Sequence, residues 1–138
     1  MKVTVKITDN QGKEQMLTIE YEKKLTLSTD ETVEFVDEIG HETEKKRKRA
    51  LYKNAIMDVN ANGYIVPSDV PYADYLESSD EILLDVIEKI TGKDGVEITD
   101  KEAWRKKLKE RDYKKIKGQI DKMIVVMANE VAEGKKNS

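Results

Sequence analysis

Tyr113, Ile116, Ile120, Met123, Ile124, Met127 and Val131 recur at three- and four-residue steps and stop short of Gly134, which is the period of an α-helix with one apolar stripe. A helix of about twenty residues is roughly 30 Å long, so it dictates the length of whatever it packs against. Ile124-Val-Val-Met127 is apolar all round, so this helix is expected to be either central to the fold or one half of a homodimer seam. At the other end of the chain Met1, Val3, Val5 and Ile7 alternate with polar residues, Asp9-Asn-Gln-Gly12 supplies turn chemistry, and Leu17, Ile19 and Tyr21 alternate again. That is a β-hairpin with one apolar face. Leu25 and Leu27 continue the alternation, as a longer second strand or a short third one. A lone hairpin is marginal in water, so its apolar side must pack on helices.

Three segments read as helix starts. Ser28-Thr-Asp-Glu31, Ser78-Ser-Asp-Glu81 and Thr99-Asp-Lys-Glu102 each set a hydroxyl three residues before a carboxylate, the reciprocal pattern that satisfies orphan amide donors at an N-terminus. The first predicts a helix carrying Val33, Val36 and Ile39 and reaching Gly40. The second predicts a helix with Ile82, Leu83, Val86, Ile87 and Ile90 on its core face, stopped by Gly92. The third precedes Trp104 and Leu108. Between them His41 to Arg49 lacks any apolar residue and is expected to project into solvent, with Leu51, Ala55, Ile56 and Val59 returning to apolar contacts. Val96-Glu-Ile98 is too short for more than a strand fragment. The expected fold is therefore α+β, an N-terminal β-hairpin packed on a body of about four helices with a long C-terminal helix.

At 138 residues the chain is near the usual size of one domain, expected over residues 1–134: a hairpin region to 27, a helical body from 28, and a frayed tail at 135–138. Apolar and charged residues each make up 38%, which leaves a thin core and a surface dense in charge. The formal charge of -3 argues against indiscriminate attraction to DNA or anionic membrane. Charge is segregated, however: Asp69 to Glu102 holds 11 acids and 3 bases, and Ala103 to Lys117 holds 8 bases against Glu110 and Asp112. An acidic surface across residues 74–88 and a basic helix face are expected. The absence of cysteine removes disulfides, thiolate metal sites and cysteine nucleophiles. No apolar run approaches spanning length and no signal-type segment opens the chain, so the expected setting is cytoplasmic and off the membrane.

Residues 58 to 69 place Asp58, Asn60 and Asn62 at alternate positions, then Gly63, then Tyr64 and Ile65, and finally Asp69. This spacing resembles the calcium loop of EF-hand proteins, in which oxygens at positions one, three and five, a backbone carbonyl at seven and an acid at twelve surround the ion. The terminal aspartate makes it similar to the dockerin variant. The resemblance covers these twelve residues and implies Ca2+ held by Asp58, Asn60, Asn62, the Tyr64 carbonyl and Asp69, with a helix entering through Leu51 to Met57. Against it stands a plain turn, in which Asn60-Ala-Asn62-Gly63 supplies residues tolerant of left-handed backbone geometry.

Lys45, Lys46, Arg47, Lys48 and Arg49, and the basic helix with Arg105, Lys106 and Lys109, are candidate partner-binding faces. Glu42 and Glu44 are spaced to pair with Lys46 and Lys48. Nucleic acid is one expected partner for such faces, although neither a recognition-helix motif nor aromatic-basic interleaving accompanies them. A phosphate-cradling loop, a nucleophile elbow and a metalloprotease helix are all missing from the sequence, so the chain is expected not to be an enzyme. The Ile7-Thr-Asp-Asn-Gln-Gly-Lys hairpin, the charge-rich segment after it and Ser79-Asp-Glu-Ile-Leu-Leu84 resemble the layout of small sigma-like regulators carried on mobile elements of Gram-positive bacteria. The expected function is a non-catalytic protein, such as an inhibitor or regulator from a phage or mobile element, that binds a protein partner through a charged helical surface. The rival readings are a calcium-binding module and a nucleic-acid-binding regulator.

Overall fold

The N-terminal alternation forms β1 (Lys2–Thr8) and β2 (Glu14–Glu20), paired antiparallel with Val3 opposite Ile19 and Val5 opposite Leu17. The computed structural model describes residues 2–9 and 11–134, and the side chains of those up to 129; Met1 and the tail expected at 135–138 lie outside the described residues. Val3 and Val5 are fully buried, so on β1 that face is core, while Leu17 opposite Val5 stays 40% exposed. On the other face the Thr4 and Thr18 hydroxyls meet at 3.0 Å. The remaining strands are β3 (Lys24–Thr26), β4 (Thr32–Phe35), β5 (Ile56–Val59), β6 (Ile65–Asp69), β7 (Ile87–Thr91) and β8 (Glu130–Gly134), and the helices are α1 (His41–Leu51), α2 (Tyr72–Glu81), α3 (Lys101–Lys106) and α4 (Glu110–Ala128). The protein is α+β, with four helices among the described residues, the last by far the longest.

The chain divides into two compact units, one comprising residues up to Ile39 and from Leu84 onward, the other Gly40–Leu83 inserted between them. The first unit holds two three-stranded sheets, ordered β2-β1-β8 and β3-β4-β7. Its core includes Phe35, Ile90, Ile116 and Ile120, all at most 1% exposed. Ile116, Ile120 and Met123 fall on one stripe of α4, and α4 packs on β2 and β8. Gln119, also buried, donates from Nε2 to the Glu22 carbonyl. The second unit pairs α1 with α2 and carries the separate β5–β6 hairpin. Among the described residues no helix is long and apolar enough to cross a membrane.

Several helix expectations are corrected. Ser28 to Glu31 forms the β3–β4 turn instead of a cap: the Leu27 amide donates to the Glu31 carbonyl at 2.8 Å, and Asp30 sits at φ 67. The alternating burial of Val33 and Phe35 decides for a strand over the three-residue spacing of Val33, Val36 and Ile39. Ser78 to Glu81 ends α2 rather than starting a helix, and the Ser78 hydroxyl turns back onto the Tyr75 carbonyl at 2.6 Å. Ile87 and Ile90 then enter β7, which pairs with β4, Val33 opposite Ile90. Their β-branched side chains suit a buried strand. Only the third signal starts a helix, one residue later than expected, with Asp100 Oδ1 accepting from the Ala103 amide at 3.1 Å.

Candidate interaction surface

The segment resembling a calcium loop is the turn of the β5–β6 hairpin, and a strand, β5, leads into it where the entering helix was expected to run to Met57. Asp58 pairs with Val66 and Val59 with Ile65, while Asp69 lies opposite Ile56 beyond a register shift. The two carboxylates of the expected ligand set therefore occupy different rungs of the ladder. Asn60 Oδ1 accepts from the amides of Asn62 (2.9 Å) and Tyr64 (3.0 Å), the Tyr64 carbonyl accepts from the Asn60 amide at 2.9 Å, and Asp58 Oδ1 accepts from the Val59 amide at 2.8 Å. Gly63 takes φ 83.

The same turn occurs elsewhere in the chain. Asp9 donates its amide to the Lys13 carbonyl, accepts on Oδ1 from Gln11 and Lys13 at 2.9 Å each, and is followed by Gly12 at φ 77. Leu27–Glu31 with Asp30, and Gly92–Val96 with Gly95 at φ 85, repeat the backbone pattern. This is the three-residue hairpin connection, a tight turn closed by one left-handed residue. It accounts physically for the alternating Asn and the glycine at 60–63 without an ion. The amide of Lys13 first, then that of Gln11 and the side-chain amide of Gln15, donate to the Asp9 carboxylate and hold its carboxyl below the ordinary aspartate value.

The strands of β5–β6 are unusual in what they expose. Met57, Val59, Ile65 and Pro67 pair across the ladder on one face, since side chains alternate along each strand. Met57 is 52% exposed, Val59 62% and Ile65 73%. Asp58 and Val66 are on the opposite face. Residues 55–72 contain only Asp58 and Asp69 as charges and no base, in a chain where more than a third of residues are charged. Tyr72 and Tyr75, at the start of α2, are also exposed and stack with ring centroids 6.1 Å apart and planes 16° from parallel. Contiguous exposed apolar side chains are uncommon on free surfaces and occur where proteins, membranes or ligands are met. The low charge of this segment was visible in the sequence; that its apolar residues face outward was not.

Both edges of this hairpin are blunted. On β5 the Val59 amide is taken by Asp58 Oδ1, and on β6 Pro67 has no amide to offer. Extension of the ladder by a further strand is disfavoured.

The charged candidates are distributed differently from expectation. Lys45, Lys46, Arg47, Lys48 and Arg49 all lie in α1. Arg47 is buried rather than projecting, its guanidinium gripping Glu44 through Nε at 2.5 Å and Nη2 at 3.2 Å; Glu44 thus pairs three residues on, with Arg47. Lys45, Lys46, Lys48 and Arg49 are exposed. Helix α1 follows the helix dipole, with Glu42 and Glu44 in the first turn and Lys48 and Arg49 in the last. Arg105 and Lys106 fall in the last turn of α3 and Lys109 caps α4, so they belong to the other unit. The acidic surface expected at 74–88 loses Asp74, which is buried and accepts from Asn54 Nδ2 at 2.9 Å.

Comparison with family models, with curated proteins and with solved structures finds no match to this chain.

Proposed function

We infer that this chain is a non-catalytic interaction protein that docks on another protein through the apolar face of the β5–β6 hairpin. The observation that carries this reading is the exposure of Met57, Val59 and Ile65 together on one uncharged face. An apolar patch left in water is a liability for a free monomer and a driving force once covered. The stacked Tyr72 and Tyr75 add amphipathic side chains of the kind enriched at such contacts. The exposed lysines and arginine of α1 contribute steering and selectivity rather than the bulk of the affinity. An inhibitor or regulator that works by occupying a partner's surface, of the kind found in phages and mobile elements, is the functional class this suits.

The test is parallel affinity capture from cells producing the wild type or a Val59→Lys/Ile65→Lys double variant, with melting temperature measured on both. The reading predicts a stoichiometric protein, whether foreign or an untagged copy of the chain itself, recovered with the wild type and lost with the equally stable variant. Equal recovery by both refutes it.

A further inference from the structure

We propose that the outward face of α4 binds the phosphodiester backbone of a nucleic-acid duplex without reading its sequence. This surface belongs to the unit that does not carry the β5–β6 hairpin, and the proposal is independent of the docking reading. Residues 105–122 hold nine bases and three acids in a chain whose formal charge is -3, so the attraction that the molecule as a whole lacks is concentrated here. Asp112 is buried on Ser28 and Asp121 is paired with Lys117 at 2.9 Å, which leaves Glu110 as the one acid of this segment standing among the cations. Arg111, Lys115, Gly118 and Lys122 follow one another at four-, three- and four-residue steps, which is one face of a helix over about 16 Å. All four are exposed, with Lys114 beside them, and the exposed Lys106, Lys107 and Lys109 lead into the helix.

What the face lacks selects the partner. No large apolar or aromatic side chain of residues 101–128 is exposed, whereas a protein partner needs such anchors at the centre of its contact and a single strand needs rings on which to stack its bases. A duplex keeps its bases inside and offers rows of phosphates, which lysines meet as point charges. Gly118 adds an independent observation. A glycine inside a helix costs stability relative to alanine, yet a methyl group there would meet nothing within 4 Å, so packing does not require it. In the middle of the cationic face it lets a sugar–phosphate strand come close to the helix backbone. Glu20 and Glu22 share a groove of about 520 Å³ with Lys114, Lys115 and Lys122; these acids weaken the field on that flank and confine an anion to the outward side of the helix. The cations of α1 are more heavily opposed, since Lys46 and Arg49 share a groove with Glu77 and Glu81.

Fluorescence anisotropy of the full chain with a labelled, mixed-sequence DNA duplex of about twenty base pairs, repeated across salt concentrations, tests the proposal. The wild type should bind at micromolar concentration in about 50 mM salt, lose affinity steeply as salt rises, and bind a duplex of unrelated sequence equally well. Lys115→Gln/Lys122→Gln, with circular dichroism unchanged, should weaken binding about tenfold or more and lower the salt slope by about two. Gly118→Leu should weaken it about threefold without lowering the melting temperature, and Glu20→Gln/Glu22→Gln should tighten it. Lys45→Gln/Lys48→Gln on α1 should stay within about twofold of the wild type. A wild type that does not bind, a Lys115/Lys122 or Gly118 variant that binds as tightly as the wild type, or an α1 variant that loses as much as the α4 variant each overturns the proposal. Competition by poly-glutamate as effective as that by unlabelled duplex also overturns it, by making an acidic protein the partner.

Discussion

Ser28 donates both its amide (2.9 Å) and its hydroxyl (2.7 Å) to the carboxylate of Asp112, 84 residues further along the chain. The contact ties the β3–β4 turn to the first turn of α4, and Asp112 is 1% exposed. Burial alone would push its carboxyl up; the two Ser28 donors, with Lys115 and Arg111 nearby, outweigh that and hold it below the ordinary aspartate value. Because the folded-state value lies below that of the unfolded chain, the stabilisation is complete above the unfolded value and is lost as pH falls through the folded one. Asp112→Ala removes the charged acceptor of both bonds and should cost about 1–3 kcal/mol in urea unfolding at neutral pH. Its difference from the wild type should shrink as the solution is acidified below the ordinary aspartate range. A difference that grows on acidification would contradict the assignment.

The left-handed turn positions give a matched set of predictions. Asp30 holds φ 67 where Gly12, Gly63 and Gly95 hold the equivalent place in the other three turns. Its ion pair with Lys93, 3.8 Å long and largely exposed, contributes little. Asp30→Gly should therefore stabilise the protein by roughly 0.5–1 kcal/mol, and Gly63→Ala should destabilise it by about 1–2 kcal/mol. Thermal melts of the two variants should move in opposite directions.

Gly118 and Gly92 make a second contrast. Gly118 lies inside α4 and a methyl group there would meet nothing within 4 Å, so Gly118→Ala should stabilise by about 1 kcal/mol through helix propensity. A methyl at Gly92 would come within 2.9 Å of Asp94 Oδ1 and 3.3 Å of the Val96 carbonyl. Asp94 Oδ1 already accepts from the Val96 amide at 3.0 Å, so relief of the first contact breaks that bond. Gly92→Ala should destabilise by about 1–2 kcal/mol, read as a lower urea midpoint.

Calcium discriminates the turn from an ion site. An ion held by Asn60 Oδ1 at 58–69 would compete with the two amides that already occupy both lone pairs of that oxygen. Millimolar Ca2+ should accordingly leave the melting temperature unmoved, and Asn60→Ala should destabilise the hairpin by about 1 kcal/mol with or without the ion. A calcium-dependent rise in melting temperature that disappears in Asp58→Ala would restore the ion site.

What could be read from the sequence follows the range over which each element is decided. The β1–β2 hairpin and α4 are written in local periodicity and appear with Val3, Val5, Ile116 and Ile120 facing the core. The Ser28 and Ser78 segments carry helix-start chemistry, but hydroxyls and carboxylates at that spacing serve turns equally well, and the neighbouring strand decides which is used. Ile82 to Ile90 has helical spacing; pairing of Ile90 with Val33, a contact no local pattern encodes, makes part of it a strand. Val131 continues the α4 period, yet Asn129 turns extended at φ -122 and Val131 pairs with Val5 in β8. The outward face of β5–β6 was hidden for a related reason: apolar residues are assumed to be core, and only position in the fold reveals that Ile65 is not.

Hydroxyl-radical footprinting of Met57 measures directly whether the hairpin face is covered in the working protein. Met16, at 60% exposure against 52% for Met57, is an internal reference on β2. The account predicts that Met57 is oxidised about as readily as Met16 in dilute purified protein and is strongly protected relative to it inside producing cells. An unchanged Met57 to Met16 ratio between the two settings would contradict it.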